Sequence, residues 1–270
     1  MTEFPSPPVA DRRPVTTTHH GETLTDDHAW LREKENPAVR AYLEAENAWA
    51  ESWLAPTAAL QERLYQEMLG RIRETDLSVP YRKGDWWYYT RTEEGKQYPI
   101  HCRRLGSPTE GEEVVLVDLN LLAERKSYMA LGDMTVSDAG WLLAYSTDDT
   151  GYRQYTLVIK DLRRGEHLPW RRDRVTSVAW DADGASLFYA VEDEETKRSC
   201  EVWQHRLGVE ADALVFTEAD EAFNVGVART RSREWLVIFS GSHTTSEAMV
   251  RRAWRDEPWR GVLTRLDDQE

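Results

Sequence analysis

A repeated strand–turn–strand pattern constrains the fold of this chain more than any other feature of its sequence. The first copy spans Val136–Tyr145 and the second spans Trp180–Tyr189, about 44 residues further on, with Gly140 and Gly184 at the same place in each. A looser third copy runs over Val227–Phe239. A period of about 40 to 50 residues with four strands per unit is typical of a β-propeller, whose blades bury their apolar faces against neighbouring blades.

From about Ser78 onward, runs of apolar and β-branched residues separated by turn residues predict short β-strands. The predicted strands are Trp86–Arg91, Gln97–Arg104, Val114–Val117, Thr135–Val136, Leu142–Tyr145, Tyr155–Lys160, Val175–Trp180, Leu187–Val191, Glu201–Arg206, Asn224–Ala228, Trp235–Ser240 and Ala248–Ala253. With residues 78–122 as the first unit, this makes about four blades, and the charged residues 267–270 offer no strand to join the last unit to the first. The predicted fold class is mainly β, a partial β-propeller preceded by a helical arm.

Residues 1–76 form the predicted N-terminal arm, and residues 77–270 form the predicted propeller region. Residues 1–22 are proline-rich and are expected to be an extended or poorly ordered lead-in. Asp26–Arg32 is typical of a short helix with acids in its first turn. A longer helix is predicted from Asn36-Pro37, an N-cap followed by proline at the first helical position, to Pro56. A second helix follows with apolar residues at Leu60, Leu64, Met68 and Ile72, and with Gly70 near its end.

The helical arm carries many large aromatic residues: Trp30, Tyr42, Trp49 and Trp53. Two interpretations are open. These side chains either anchor the arm against another domain or pack within the arm itself, and their number favours the first.

The formal net charge of −14 argues against a nucleic-acid partner, because phosphate binding needs a cationic surface. The polar N-terminus has no apolar segment typical of a signal peptide, and no run reaches the length of a membrane span. We therefore expect a cytoplasmic protein without a membrane partner. Cys102 and Cys200 stand far apart, outside any C-x-x-C pair, and are expected to be ordinary thiols.

No catalytic, cofactor-binding or metal-binding residues are predicted. A G-x-S-x-G elbow, a phosphate-binding glycine loop and an H-E-x-x-H helix are all missing from the sequence. Ser242 and His243 stand side by side, but adjacent side chains on a strand point to opposite faces, so a polar turn is the expected role. His19-His20 and Asp26–His28 are considered as metal ligands and rejected, because the first pair lies on the lead-in and the second begins a helix.

Two groups of acidic residues remain: Glu192–Glu195, and the set Asp212, Glu218, Asp220 and Glu221. They are expected to lie on solvated loops of the blades. The alternative is a guiding role, because a surface of one sign raises the local concentration of ligands of the opposite sign.

Several stretches carry a resemblance to a known family. They are Asp27–Arg32 followed by Asn36-Pro37, Tyr42–Asn47, Tyr88–Arg104 and Ser240–Glu247. Together they resemble the N-terminal half of the prolyl oligopeptidase family of serine peptidases, in its oligopeptidase B branch. The similarity extends from about residue 8 to the end of the chain.

The resemblance implies a two-domain enzyme in which a seven-bladed propeller caps an α/β-hydrolase domain that holds Ser, Asp and His. Such enzymes cleave short peptides after Arg or Lys, the propeller gates substrate access, and the helical arm packs on the hydrolase domain. We expect this chain to hold about four of the seven blades, to lack the hydrolase domain, and to be inactive alone. Its implied partners are short basic peptides and the missing domain. The alternative is a non-catalytic interaction or peptide-binding module.

Overall fold

The computed structural model describes residues 6–266 and forms two compact units, Met1–Arg73 and Glu74–Glu270. The sequence places the boundary a few residues later, after residue 76. Residues 267–270, which were expected to supply no closing strand, lie outside the described residues.

The first unit begins with a hairpin that the sequence analysis missed. Strand β1 (Val15–His19) pairs antiparallel with β2 (Glu22–Asp26) through a two-residue turn, His20-Gly21, in which both residues have positive φ (51° and 86°). Such turns match the right-handed twist of paired strands. Of the two alternatives expected for the lead-in, the poorly ordered one is therefore wrong over these residues; the chain is extended here, as a strand that its β-branched threonines suit.

Two helices complete the first unit, and both were predicted. Helix α1 (Pro37–Leu54) begins as expected, because the Asn36 side chain accepts a hydrogen bond from the N–H of Ala38 at 2.9 Å. A short 3₁₀ turn leads into α2 (Ala58–Leu69), which ends at Gly70.

The expected short helix at Asp26–Arg32 is a 3₁₀ turn over Ala29–Arg32. The acids precede it: the Asp26 carboxylate accepts the N–H of His28 at 2.9 Å.

Trp30 packs inside the first unit. It is 6% exposed, its Nε1 donates to the Asp11 carbonyl at 2.8 Å, and its ring meets Tyr42 edge-on at 6.4 Å between centroids. For this pair, packing within the arm is the observed role, whereas Trp53 is half exposed.

Over residues 74–266, the second unit contains four antiparallel sheets of four strands each, and within a sheet each strand pairs with the next along the chain. These are the predicted blades. Blade 1 holds β3 (Tyr81–Lys83), β4 (Trp86–Arg91), β5 (Ile100–Leu105) and β6 (Glu113–Asp118); blade 2 holds β7 (Ala130–Val136), β8 (Leu142–Asp148), β9 (Thr156–Asp161) and β10 (Glu166–Arg172); blade 3 holds β11 (Val175–Trp180), β12 (Ser186–Glu192), β13 (Ser199–Arg206) and β14 (Ala213–Thr217); blade 4 holds β15 (Asn224–Arg229), β16 (Trp235–Gly241), β17 (Ser246–Arg252) and β18 (Arg260–Leu263). A short helix, α3 (Leu119–Leu122), follows blade 1. The predicted class, a mainly β partial propeller preceded in the chain by a helical arm, is confirmed.

One strand in each blade was not predicted from the sequence. In blades 2, 3 and 4 it is the outermost strand, β10, β14 or β18, and in blade 1 it is the short inner strand β3. An outer strand pairs on one side only and faces solvent, so it needs no regular apolar alternation. Strand β10 even contains Pro169, which is tolerated at an edge but not in the middle of a sheet.

The hydrophobic core lies between neighbouring blades. Strand β12 shows why: Leu187 and Tyr189 pack against blade 2, whereas Phe188 and Ala190, pointing the other way, pack against blade 4. A central strand of a blade is therefore buried on both faces, and β12 is almost wholly buried. A third apolar cluster fills the boundary between blades 1 and 2.

The turn after the inner strand repeats in blades 2, 3 and 4. Gly140 and Gly184 occupy its left-handed position with φ of 78° and 63°, and Arg233 occupies the same position in blade 4 with φ of 64°. Each backbone N–H donates to the carbonyl three residues earlier, on Ser137, Asp181 and Thr230 respectively. The third copy reads as looser because an arginine replaces the glycine.

Candidate functional site

The inner strands of all four blades line one cavity of about 560 Å³. Strands β3, β7, β11 and β15 each pair with a partner on one side only, so their other edges face this space. The cavity lies toward the ends of these strands that lead into the repeated turns. This is the central channel of a propeller, here bounded by the four blades.

Side chains of one inner strand bind the backbone of the next. The Asp133 carboxylate accepts the N–H of Val178 at 2.9 Å, and the Ser177 hydroxyl, at the corresponding place in the next blade, accepts the N–H of Val227 at 3.0 Å. These bonds satisfy backbone groups that no strand pairs, and they hold blades 2, 3 and 4 in register around the channel.

One end of the channel is strongly basic. We call Arg82, Lys83, Arg229, Arg231 and Arg233 the basic rim; Asp133 is the acidic residue among the side chains that line the same cavity. Two of the rim residues come from strand β3 of blade 1, and the other three come from the end of β15 and the repeated turn that follows it in blade 4.

Lys83 links two blades within this rim. Its Nζ donates to the Val136 carbonyl at 2.6 Å. Burial lowers the pKa of Lys83; the Asp138 carboxylate opposes this effect, and the positive charges of Arg233 and Arg229 add to it. Lys83 is therefore close enough to Asp138, Arg229 and Arg233 for their charges to affect its protonation.

Ser242 and His243 lie in the turn between β16 and β17, which confirms the interpretation as a polar turn. The Ser242 hydroxyl accepts the N–H groups of Thr244 and Thr245, at 3.3 and 3.2 Å. It stabilises the turn, and His243 is exposed to solvent.

The expectation of solvated acids is correct for part of the two acidic groups. Residues 193–195 and 220–221 are exposed. They lie at the β12–β13 turn and the β14–β15 connection, and in an antiparallel meander both are at the end of the blades opposite the basic rim.

For Glu218 the expectation is wrong. Its side chain is 5% exposed, accepts a hydrogen bond from the Ser240 hydroxyl at 2.7 Å, and pairs with Arg265. It holds the connection before blade 4 in place, which only the fold reveals.

Asp212 is likewise not on a solvated loop. Its carboxylate accepts hydrogen bonds from Tyr189, from Nδ1 of His205 at 2.7 Å, and from Nε1 of Trp170 at 3.3 Å. The Trp170 ring of blade 2 stacks on His205 of blade 3, 4.3 Å between centroids. This buried cluster holds blades 2 and 3 together. The sequence analysis did not single out His205, although its place in a strand with alternate buried residues is a signal.

A buried ion pair joins blades 3 and 4. Arg251 on β17 is 5% exposed and pairs with Asp181, which is 6% exposed and follows β11. The guanidinium also lies over the rings of Phe188 and Trp259, at 4.6 and 5.6 Å from their centroids. Burial raises the pKa of Asp181 to about 6, and Arg251 opposes this shift.

Within residues 6–266, no group of three His, Cys, Asp or Glu side chains is arranged to hold a metal ion. His19 and His20 sit exposed at the β1–β2 turn. In the same part of the chain, no helix is long and apolar enough to span a membrane.

Four radial meanders around a shared channel define this unit as a β-propeller domain. The chain matches the family model for the prolyl oligopeptidase N-terminal beta-propeller domain over residues 7–270, and it belongs to this family. It is 41% identical over 263 residues to dipeptidyl aminopeptidase BI of Pseudoxanthomonas mexicana and 35% identical over 249 residues to Protease 2 of Moraxella lacunata. Each match covers 89% of this chain and 36% of the relative.

The structure of oligopeptidase B from Leishmania major superposes with a TM-score of 0.84 at 26% identity, covering 97% of this chain and 40% of that one. The resemblance to the oligopeptidase B branch is confirmed. The chain thus spans little more than a third of the length of these relatives.

Proposed function

We propose that this chain is the propeller part of a serine endopeptidase that cleaves short peptides after Arg or Lys, and that its channel limits which substrates reach the active site. The observation that carries the proposal is the match to oligopeptidase B. The Trypanosoma brucei enzyme is 30% identical, with a TM-score of 0.84 over 97% of this chain.

The geometry supports a role in substrate access. The part of the channel that these four blades border has a volume of about 560 Å³, in the range of pockets that hold small ligands or a few residues of peptide. The unpaired edges of the inner strands face it, and extended peptides bind to such edges wherever the backbone groups are not already bonded to side chains, as those of Val178 and Val227 are.

The chemistry is assigned to an α/β-hydrolase domain outside this chain, as an intramolecular partner. Among residues 6–266, the carboxylate-bound His205 has Tyr189 and Trp170 around it, and no hydrogen bond links it to a serine. Because the sequence also contains no G-x-S-x-G elbow to present a nucleophile, we expect the chain alone to be inactive.

The test compares the 270-residue chain with the product of the complete reading frame on a fluorogenic peptide ending in Arg-Arg. The expected result is no turnover by the chain, and turnover by the complete product that a serine-directed inhibitor abolishes. Inhibitor-sensitive turnover by the chain would refute the assignment of catalysis to a separate hydrolase domain. No turnover by either would favour a non-catalytic, peptide-binding module.

A second candidate is removal of dipeptides from free N-termini, favoured by the 41% identity to a dipeptidyl aminopeptidase. The same assay distinguishes the two activities when the peptide is supplied both with a free N-terminus and with an acetylated one. An endopeptidase accepts the substrate with its N-terminus acetylated, whereas a dipeptidyl aminopeptidase requires the free amine.

A further inference from the structure

The charge of the channel end is opposite to that of the whole chain. The protein carries a formal net charge of −14, yet five basic residues and one acidic residue line the cavity. An excess of one sign in a concave site focuses the field and raises the local concentration of ions of the other sign. The basic rim therefore favours an anionic ligand.

Part of the rim is already neutralised. Arg229 donates to the Asp138 carboxylate at 2.8 Å, to the Arg233 carbonyl, and to the Trp180 carbonyl at 3.4 Å. Its donors are thus largely used within the protein. Asp133, the acid of the cavity, accepts two backbone N–H groups and is held in the wall.

The rest of the rim keeps donors for a ligand. Arg231 is exposed, and no side-chain hydrogen bond or ion pair engages it among the described residues. Arg82 uses Nε for the Gly84 carbonyl, which leaves its terminal nitrogens. Lys83 donates one N–H to the Val136 carbonyl and keeps its other two. The Arg233 guanidinium lies 3.8 Å from the Asp138 carboxylate, and its side chain is 45% exposed.

Below the rim the cavity wall is mainly apolar rather than charged. Val136, Val178, Trp180 and Val227 line it, together with the edges of the inner strands, where side chains already bind some of the backbone groups and leave the others for a ligand. A ligand that fits has one anionic end and an extended, uncharged body able to bond to strand edges. We infer that the basic rim binds the C-terminal carboxylate of a peptide whose chain lies along the inner strands.

The exposed acids at the other end of the blades agree with this orientation. A peptide held by its carboxylate at the rim directs the preceding residues toward the acidic end, where cationic side chains are favoured. The inference rests on the proposed function only in taking a peptide as the ligand, and its test requires no catalysis.

The test uses the 270-residue chain and a tetra-alanine peptide with an N-terminal dansyl group, made with a free carboxylate or with a C-terminal amide. Fluorescence anisotropy measures the dissociation constant of each. The expected result is about tenfold tighter binding of the carboxylate, the size of one charge-assisted hydrogen bond.

Arg231→Gln reduces that preference severalfold, because it removes the rim donor with the fewest bonds in the protein. The matched control is Arg164→Gln. This exposed arginine lies in the β9–β10 turn, outside the cavity lining, and its replacement removes the same charge without changing the preference.

Equal binding of the carboxylate and the amide, or equal effects of the two substitutions, would overturn the inference. Competition separates the sources of the anion. Sodium acetate displaces the peptide if the site takes a carboxylate, and displacement by phosphate alone would overturn the assignment. Loss of hydrolysis by the complete enzyme with this binding intact would count against the proposed function and not against the carboxylate site.

Discussion

Removal of Arg251 alone is predicted to destabilise the propeller unit by about 3 to 5 kcal/mol, the usual cost of leaving one buried charge without its partner. The structure gives two reasons. Arg251 is 5% exposed and pairs with Asp181, itself 6% exposed, across the boundary between blades 3 and 4. Its guanidinium also lies over Phe188 and Trp259, and each such contact is worth about 1 kcal/mol.

The assay is urea unfolding of Arg251→Met, Asp181→Asn and the double variant, followed by tryptophan fluorescence. Each single variant should show the large loss, because it leaves one charge or strong polar group unpaired. The double variant should lie within about 2 kcal/mol of the wild type, since replacing both partners of a buried pair costs little. Single losses below about 1 kcal/mol, or a double variant as unstable as the singles, would refute the reasoning.

The pair also gives a pH dependence with a definite sign. Burial raises the pKa of Asp181 to about 6 in the folded protein, above its value of about 3.9 in the unfolded chain. The folded state then binds the proton more tightly, so this contribution to stability is complete below pH 4 and is lost as the pH rises through 6. Between pH 4 and 7, the unfolding free energy of the wild type should fall relative to that of Asp181→Asn. Parallel curves would contradict the shift.

Further predictions concern the repeated turn. Gly184→Ala should cost about 1 kcal/mol, from the left-handed backbone alone, because its Cβ would meet open space. Gly140→Ala should cost more, since its Cβ would lie 3.2 Å from the Trp86 indole nitrogen; equal losses in urea unfolding would contradict this. Arg233→Gly should raise the unfolding free energy by about 0.5 kcal/mol, because the strain it relieves exceeds the value of an exposed ion pair with Asp138. A loss above about 1 kcal/mol would show that the ion pair matters more.

The sequence predicted the central strands of each blade because these are buried on both faces. Strand β12, sandwiched between two blades, must be apolar along its length, and its prediction is confirmed almost to the residue. The outer strands β10, β14 and β18 face solvent, so their composition follows no strict rule. The β1–β2 hairpin was missed for a different reason: the neighbouring prolines outweighed a turn signal at His20-Gly21.

The candidate site was less accessible from the sequence. Lys83 and Arg231 stand far apart in the chain, and only the curvature of successive blades brings them to one cavity. The formal net charge of −14 gave no sign of this rim, because a sum over the chain hides a local excess of the opposite sign. The expectation that Asp212 and Glu218 are solvated was wrong for another reason, since burial depends on neighbours from other strands.

The central proposal is that this propeller belongs to a peptidase that cuts after Arg or Lys. The most direct test is mass spectrometry of the products that the complete reading frame makes from an N-acetylated decapeptide with a single internal arginine. The account predicts one cut, immediately after the arginine, and none with the 270-residue chain alone. An uncut acetylated peptide, together with release of dipeptides from its unacetylated form, would contradict it.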